Sequence, residues 1–212
     1  MVESMNIAII GAGRVGTTLA HAWKRKDHDI FLGVRNPNGN KSTQLVAEGF
    51  QVGTVTDASS FGDVIVLATP WRATQDAVRA AGDLSGKVII DCTNPLKPDL
   101  SGVDVPTGSS GAEQIAGWAK DARVFKAFNQ TGTENMAEPV IRSQPAVMFV
   151  AGDDGDGKAT VIQLVSDVGF EAVDAGPLSV ARSLEELAVL WIHLAYNAPG
   201  LDRNYAFAIL RR

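Results

Sequence analysis

The sequence contains very little cysteine and histidine and has no surplus of positive charge. Its single cysteine, Cys92, lies inside an apolar run, so no intrachain disulfide can form and no group of thiolates can bind zinc. We therefore expect a reducing compartment, the cytoplasm. The net charge of −5 gives no positive field to attract nucleic acid or anionic lipid, and neither is an expected partner.

Long hydrophobic runs are also absent. The first apolar run ends at Gly11 and has no basic segment before it, unlike a secretory signal peptide. The run LAVLWIHLAY is much shorter than the ~20 residues that a membrane-spanning helix needs. With 45% hydrophobic and 20% charged residues, the composition is typical of a compact protein that stays in solution and does not bind a membrane.

The sequence does contain a regular alternation of short β-branched runs and longer helical patterns. This alternation predicts parallel strands joined by crossover helices, which is an α/β fold with a doubly wound sheet. The strand runs are almost entirely apolar, as expected when helices cover both faces of the sheet. The predicted strands are NIAII, DIFLGV, DVIVLAT, KVIIDCT, RVFKAF, AVMFVAG and FEAVDAG, and helices are predicted at RVGTTLAHAWKRK, KSTQLVAEG and WRATQDAVRAAG.

Three glycines stand in the spacing G-x-G-x-x-G after the first predicted strand and at the start of the first helix: Gly11, Gly13 and Gly16. The first permits a tight turn, the second lets the backbone approach a pyrophosphate, and the third lets the helix pack closely on the strand. The helix amino terminus adds unpaired N–H groups and partial positive charge. In this position the motif indicates a dinucleotide-binding domain of the Rossmann type rather than glycines that serve packing alone.

The second predicted strand ends near Val34, where a dinucleotide-binding domain places the adenosine ribose. An NAD-binding protein usually has a carboxylate here, yet residues 30–44 contain no Asp or Glu, and Arg35 follows the strand. A guanidinium attracts a 2′-phosphate, and its fork matches phosphate oxygens. The sequence therefore predicts that Arg35 binds the 2′-phosphate of NADP, with Asn36 and Lys41 as weaker assistants. The alternative is a solvated loop arginine.

Seven segments, taken in order, make the chain resemble a known family, the NADP-dependent oxidoreductases related to the coenzyme F420 (deazaflavin):NADP oxidoreductases. The chain is also similar to the cytosolic reductase domain of six-transmembrane ferric reductases. The resemblance covers nearly the whole chain. The segments are IIGAGRVG, GVRNP, LATPW, DCTNPL, VFKAFNQTG, AGPLSVAR and LWIHLAYNAPGLDRNYAFAILRR.

The resemblance implies a cofactor-binding role for several of these segments. The glycine turn would hold the pyrophosphate, and the end of the second strand would hold the 2′-phosphate. A serine of the family is replaced here by Val34, so NADP preference is expected to survive in weakened form. The residues implied in the cofactor site are Gly11, Ala12, Gly13, Arg14, Val15, Gly16, Val34, Arg35, Asn36, Thr69, Pro70, Trp71, Asn94, Pro95, Asn129 and Thr131.

The segments ATPW, TNPL and AFNQTG all follow predicted strands, and ligands of open α/β sheets bind beyond the carboxyl ends of the strands. The resemblance places ATPW on the nicotinamide side, which makes Thr69, Pro70 and Trp71 candidates for lining the hydride-transfer site. Plainer alternatives exist, because a proline can end a strand, a tryptophan can pack in the core and Asn129 can cap a turn.

Groups for acid–base catalysis of carbonyl reduction are scarce. The two tyrosines, Tyr196 and Tyr205, lack a lysine four residues later, and His21 and His28 belong to the first helix and its exit. His193 lies in an apolar helical pattern. It is therefore expected either to be a core histidine or to line the hydride-transfer site together with Thr69, Pro70 and Trp71. We therefore expect hydride transfer between NADP(H) and a small-molecule redox acceptor, coenzyme F420, FMN or FAD, whose ring supplies the difficult chemistry.

Two further hypotheses stay open beside this oxidoreductase. One is an NADPH-binding sensor without turnover, and the other is a small ketone or imine reductase. No metal site is expected, because the acidic segment GDDGDGK lacks the ligand spacing of a calcium loop and is predicted to cap the next helix.

The chain is predicted to divide into an NAD(P)-binding Rossmann domain at residues 1–176 and a mostly helical segment at residues 177–212. The second segment has apolar positions at helical spacing with a break at NAPG. Because something must cover the reacting rings and exclude water, Trp191, His193 and Tyr196 are expected to line the acceptor pocket, within one subunit or across a homodimer. The alternative is that they pack on the sheet or form a purely structural dimer face.

Overall fold

An eight-stranded sheet organises residues 4–212, the part of the chain that the computed structural model describes. A separate two-stranded hairpin accompanies it. In chain order the strands are β1 (Asn6–Ile10), β2 (Asp29–Gly33), β3 (Gln51–Gly53), β4 (Val64–Leu67), β5 (Val88–Asp91), β6 (Arg123–Lys126), β7 (Val140–Ile141), β8 (Gln144–Pro145), β9 (Val147–Ala151) and β10 (Glu171–Gly176).

Helices connect most of these strands, and a short 3-10 turn, Leu178–Val180, precedes the last helix. The helices are α1 (Arg14–Lys24), α2 (Asn40–Ala47), α3 (Val55–Phe61), α4 (Trp71–Ala81), α5 (Gly111–Trp118), α6 (Thr133–Ala137), α7 (Gly155–Val168) and α8 (Ala181–Asn197).

The strand order shows the doubly wound topology that the sequence predicts. The sheet runs in the order β10-β9-β6-β5-β4-β1-β2-β3, and the six strands from β6 to β3 are parallel. The strand β9 is antiparallel to β6, through the pair Lys126 and Ala151, and β10 is parallel to β9. The prediction of a Rossmann-type, mostly parallel sheet is confirmed.

Helices cover both faces of the sheet because the strands carry apolar side chains on both. On one face, α1 and α7 pack together, and the buried Trp23 Nε1 donates to the Leu164 carbonyl at 2.9 Å. On the other face, α3, α4 and α5 bury Ala58, Val78 and Ile115 against the strands. This two-sided removal of apolar surface from water is the main force that holds the sheet.

Several short elements lie in stretches for which no element was predicted. Thr54 and Asp57 form a capping box at the start of α3, and Ser110 accepts a hydrogen bond from the backbone N–H of Glu113 at the start of α5. Each is the S/T-x-x-D/E pattern that marks a helix start. The segment GDDGDGK behaves as predicted, since Asp154 caps α7 through a backbone N–H of its first turn at 2.6 Å.

The C-terminal part is helical up to Asn197, and residues 198–212, here called the tail, contain no helix. The helical character predicted for most of residues 177–212 therefore stops at the NAPG break. The tail backbone is bound by other elements instead, because the Phe207 carbonyl accepts the backbone N–H of Val147 at the start of β9, at 2.9 Å. The division of the chain at residues 176 and 177 stays a prediction.

None of the helices within residues 4–212 has the length and apolar character needed to cross a bilayer.

Candidate cofactor and hydride-transfer site

The turn between β1 and α1 contains two glycines that the fold itself requires. Gly11 has φ +107°, and a Cβ there would lie 2.6 Å from the carbonyl oxygen of Ala68, in the turn after β4. Gly16 is buried, and a Cβ there would overlap the carbonyl of Gly11. These close approaches agree with the roles of the first and third glycines of the motif.

Gly13 differs from the other two glycines because the space beside it is empty. A Cβ would meet no atom within 4 Å, and its φ of −73° suits any residue. Gly13 is also the N-cap of α1 and provides no side-chain cap, so the first N–H groups of that helix lack this partner. Open space beside such N–H groups fits a pyrophosphate, as the motif predicts.

A cavity of about 790 Å³ begins at this turn and continues between the ends of β1, β2 and β4 and the helix α4. Its volume lies in the range of sites that bind cofactors. The predicted residues that line it are Gly11, Ala12, Gly13, Val34, Arg35, Thr69 and Pro70, and the polar residues of its wall that were not predicted are Thr54, Thr56, Arg72 and Asp76.

Arg35 lies in the wall of this cavity, just beyond β2, and its side chain is exposed. It forms no hydrogen bond or ion pair with any of residues 4–212. A second guanidinium, that of Arg72, lies in the same wall, and the acid there, Asp76, pairs with Arg79 at 3.3 Å. Asn36 is not among the residues that line the wall, and its Oδ1 accepts a backbone N–H of its own turn at 3.3 Å. The wall therefore presents positive charge where a phosphate is expected.

The segment ATPW after β4 divides between the cavity and the core. Thr69 and Pro70 line the cavity, and Thr69 Oγ1 lies 2.9 Å from Thr74 Oγ1. Trp71 is not in the cavity wall and stacks on Trp118, with ring centroids 5.4 Å apart. For Trp71 the structure agrees with the alternative of a packing aromatic.

The loops after β5 and β6 are joined by a pair of asparagines. Asn94 Nδ2 donates to the Asn129 carbonyl at 2.7 Å, and Asn129 Nδ2 donates to Asn94 Oδ1 at 3.0 Å and to the Leu184 carbonyl at 2.9 Å. Asn129 Oδ1 is buried and has no partner among the described residues. Pro95 packs beside Gly111, at the start of α5. These predicted residues connect the strand-end loops to α5 and α8, outside the cavity wall.

A buried ion cluster behind these loops was missed by the sequence reasoning. Lys126 Nζ contacts Asp91 Oδ2 at 2.7 Å, Glu185 Oε1 at 2.8 Å and the Thr93 carbonyl at 2.6 Å. Burial disfavours the ammonium, but the two carboxylates outweigh it and raise the pKa of Lys126, while burial raises the pKa of Glu185. The available signal was a lysine inside the apolar run RVFKAF, because a charge in a buried strand needs a partner.

The tail passes beside the end of the β6 loop. Asn135 Nδ2 donates to Thr131 Oγ1 at 2.9 Å and to the Tyr205 carbonyl at 2.7 Å. Tyr205 also stacks on Trp191, with ring centroids 5.4 Å apart, and its hydroxyl donates to the Trp191 carbonyl at 2.7 Å. Thr131 therefore lies next to the tail and not in the cavity wall.

Of the three α8 residues predicted at the acceptor pocket, only Trp191 is buried. Its side chain packs against Gly132, where a Cβ would come within 2.7 Å of the indole ring. His193 is exposed, so the alternative of a core histidine is wrong, and it does not line the cavity. Tyr196 is 61% exposed, and its hydroxyl accepts a hydrogen bond from Arg203 of the tail at 2.6 Å.

One carboxylate connects the glycine turn to the tail. Arg14 Nη2 lies 2.6 Å from Oε1 of Glu134, which belongs to the first turn of α6. Arg203 binds the same carboxylate through Nε at 3.1 Å and Nη2 at 3.0 Å. The hydrogen bonds from Arg203, with a smaller effect from the positive charge of Arg14, lower the pKa of Glu134 to about 2. The neighbours of Arg14 in the motif, Val15 and Gly16, pack into the core.

The remaining histidines have partners away from the cavity wall. His21 pairs with Glu48 at 3.1 Å on the surface, and the buried His28 Nε2 lies 3.1 Å from Asp167 Oδ2. Across residues 4–212 no group of three His, Cys, Asp or Glu side chains is placed to hold a metal ion.

The sheet topology and the cavity beyond the glycine turn define the class of the protein, the dinucleotide-binding domains of the Rossmann type. Residues 6–95 match the family model described as NADP oxidoreductase, coenzyme F420-dependent. The resemblance recognised in the sequence is thereby confirmed.

Curated relatives are longer than this chain. Metalloreductase STEAP3 of Rattus norvegicus is 27% identical over 186 residues, which are 87% of this chain and 36% of that protein. Glycerol-3-phosphate dehydrogenase [NAD(P)+] of Chlorobium chlorochromatii is 25% identical over 226 residues, which cover 98% of this chain and 65% of the dehydrogenase. The chain thus spans about a third of the first relative and about two thirds of the second.

Solved structures extend the comparison over the whole fold. A candidate F420-dependent NADP reductase from Arthrobacter sp. FB24 superimposes with a TM-score of 0.88 at 29% identity, over 98% of this chain and 100% of that chain. A reductive aminase from Aspergillus terreus, solved with NADPH and ethyl levulinate, superimposes with a TM-score of 0.66 at 22% identity, over 89% of this chain and 60% of that chain. The second likeness concerns the fold alone.

Proposed function

We propose that the protein is an NADP(H)-dependent oxidoreductase that transfers a hydride between NADPH and coenzyme F420, FMN or FAD. A flavin acceptor would allow onward transfer to ferric iron. The observation that carries the proposal is Arg35, which lines the cavity that starts at Gly13 and whose guanidinium has no partner among residues 4–212.

The choice of NADP over NAD rests on charge. The residues that line the cavity include two arginines, Arg35 and Arg72, and one acid, Asp76, which is already paired with Arg79. A 2′-phosphate carries negative charge that a guanidinium can bind through two parallel hydrogen bonds. The ribose hydroxyls of NAD would gain little from such a wall, because they need a carboxylate as acceptor.

The residues around the cavity are suited to holding a cofactor and not to making or breaking bonds. The N–H groups at Gly13 would bind the pyrophosphate, and Thr69 and Pro70 stand at the β4 end, where the nicotinamide is expected. The bound cofactor supplies the hydride. Among the described residues that line the cavity there is no histidine, tyrosine or lysine, which favours an acceptor ring that carries the electronic chemistry itself.

We further propose that α8 and the tail cover the acceptor side. Trp191 and Tyr205 stack on each other beside the β6 loop, and Arg203 joins the tail to α6. This packing lies at the carboxyl end of the parallel strands, where it can exclude water from the reacting rings.

We also propose that the protein is a cytoplasmic homodimer. Leu190 and Tyr196 of α8 are 47% and 61% exposed, and Leu201 at the start of the tail is 42% exposed. A second copy of the same surface could cover these apolar side chains in a two-fold contact. Sedimentation velocity should show a dimer that Leu190→Glu converts to monomer, and a wild-type monomer would contradict this part of the proposal.

The test of the proposed function is stopped-flow oxidation of NADPH against a panel of acceptors. The panel contains a deazaflavin, FMN, FAD, a ferric chelate, and simple ketones and imines. Oxidation by the deazaflavin or a flavin is expected. Turnover with the ketones or imines alone would favour a small carbonyl or imine reductase, and NADPH binding without any turnover would favour a sensor.

A further inference from the structure

Two arginines and one glutamate meet where α1, α6 and the tail come together. Glu134 receives Arg14 Nη2 at 2.6 Å on one side and two nitrogens of Arg203 at 3.1 and 3.0 Å on the other. Arg14 is the residue directly after Gly13, so this carboxylate stands next to the turn where a pyrophosphate is expected. The cluster carries one net positive charge.

The two arginines are held very differently. The side chain of Arg14 is 73% exposed, and its contact with Glu134 is its one ion pair within residues 4–212. Arg203 is 31% exposed, binds Glu134 through two nitrogens, donates to Tyr196 Oη at 2.6 Å and lies 5.6 Å from the Trp191 ring. Arg14 can therefore leave the carboxylate easily, whereas Arg203 stays.

We propose that Glu134 competes with the cofactor for Arg14. The carboxylate holds the guanidinium of Arg14 while the site is empty, and Arg14 exchanges it for pyrophosphate oxygens when NADPH binds. The same guanidinium fork binds carboxylates and phosphates, so the exchange needs only a change of side-chain rotamer. The inference rests on the proposed function, because it requires that the glycine turn binds a dinucleotide.

Arg203 keeps the free-energy cost of this exchange small. When Arg14 leaves, Glu134 keeps the two hydrogen bonds from Arg203, so no unpaired carboxylate remains. Arg203 then no longer shares the carboxylate with a second cation. Cofactor binding should therefore strengthen the attachment of the tail, since a coupling between two sites acts in both directions.

The test is a double-mutant cycle on cofactor affinity. Glu134→Gln should tighten NADPH by about two- to five-fold, the scale of a released exposed ion pair. In an Arg14→Gln background the same substitution should have no effect. NADH should respond by the same factor as NADPH, because the pyrophosphate is common to both, which separates this effect from one at the 2′-phosphate.

Arg203→Gln is the matched control, since it removes the other partner of the same carboxylate. It should weaken NADPH slightly, opposite in sign to Glu134→Gln, because Glu134 then holds Arg14 alone. Wild-type protein should also show slower proteolysis of the tail with NADPH than without it. If Glu134→Gln leaves NADPH affinity unchanged or weakens it, the inference is wrong while the proposed function stands. If wild type binds no NADPH, both fail.

Discussion

At the residue scale, Arg35 should determine which cofactor the protein prefers. Hydrogen bonds to charged groups contribute about 1.5–3 kcal/mol, so Arg35→Ala should weaken NADPH by roughly 10- to 150-fold and leave NADH nearly unchanged. Calorimetric titration of both cofactors measures this. Lys26→Ala is the control, because it removes an exposed cation that is not in the cavity wall. If Arg35→Ala weakens NADPH and NADH equally, Arg35 does not bind the 2′-phosphate.

Gly13 and Gly16 should respond in opposite ways to the same substitution. Gly13→Val should leave a folded protein that no longer binds NADPH, because the new side chain enters open space that the pyrophosphate needs. Gly16→Val should not fold normally, since its Cβ would overlap the carbonyl of Gly11. Circular dichroism and NADPH titration distinguish the two. Persistent NADPH affinity in Gly13→Val would make the turn purely structural.

The sequence predicted some of these residues better than others, for physical reasons. Gly11, Gly13 and Arg35 could be placed because a local motif fixes their positions relative to one strand and one helix. The partners of Lys126 could not, because Asp91 and Glu185 come from a strand and a helix far apart in sequence. No local sequence pattern predicts which distant carboxylate will form an ion pair with a buried lysine.

At the scale of elements, the contact between α6 and the tail should depend on pH. The pKa of Glu134 is lowered from 4.5 to about 2, so the folded state binds fewer protons than the unfolded state in this interval. The stability from this carboxylate is thus complete above pH 4.5 and is lost as the pH falls towards 2.

Urea unfolding of wild type and Glu134→Gln across that pH range measures the effect. Glu134→Gln should be less stable at neutral pH by about 0.5–1 kcal/mol, and the difference should vanish at the acidic end. The control is Glu186→Gln, which changes an exposed carboxylate of α8. A difference that stays constant with pH would show that Glu134 does not hold the tail through its charge.

Removal of the tail should separate cofactor binding from turnover. A protein that ends at Tyr196 lacks Arg203 and Tyr205, which bind α6 and Trp191, but keeps every residue of the cavity wall. We expect NADPH affinity within a few-fold of the intact protein and no turnover with an acceptor. Both assays should use truncated protein that circular dichroism shows to be folded, and surviving turnover would put the acceptor site elsewhere.

The elements that the sequence predicted are the long, regular ones. Strands such as β1 and β4 are continuous apolar runs, and α1 and α4 have a helical period over 11 residues each. The 3-residue β3 and the 7-residue α3 are too short for a period to show, although the capping pattern at Thr54 was available. In the tail, the spacing of apolar residues suggested a helix, but the carbonyls of Tyr205 and Phe207 accept hydrogen bonds from other elements.

At the scale of the whole molecule, we propose that cofactor binding and the covering of the acceptor belong to different parts of the sheet. The cavity wall comes from residues 10–80, within the part that matches the family model, and the proposed cover comes from α8 and the tail. The sheet and its long helices could be predicted because strand and helix patterns are local. The acceptor could not be predicted, because its proposed site depends on how α8 and the tail, which are distant in sequence from the glycine turn, pack beside the β6 loop.

The most direct test of the proposed function follows the hydride itself. NADPH carrying deuterium in both C4 positions of the nicotinamide is oxidised by the protein with a deazaflavin as acceptor, and mass spectrometry of the reduced deazaflavin locates the label. The proposal predicts deuterium on the deazaflavin ring carbon, with transfer weakened in Arg35→Ala. Oxidation of NADPH without deuterium in the deazaflavin, or no oxidation with any deazaflavin or flavin, would contradict it.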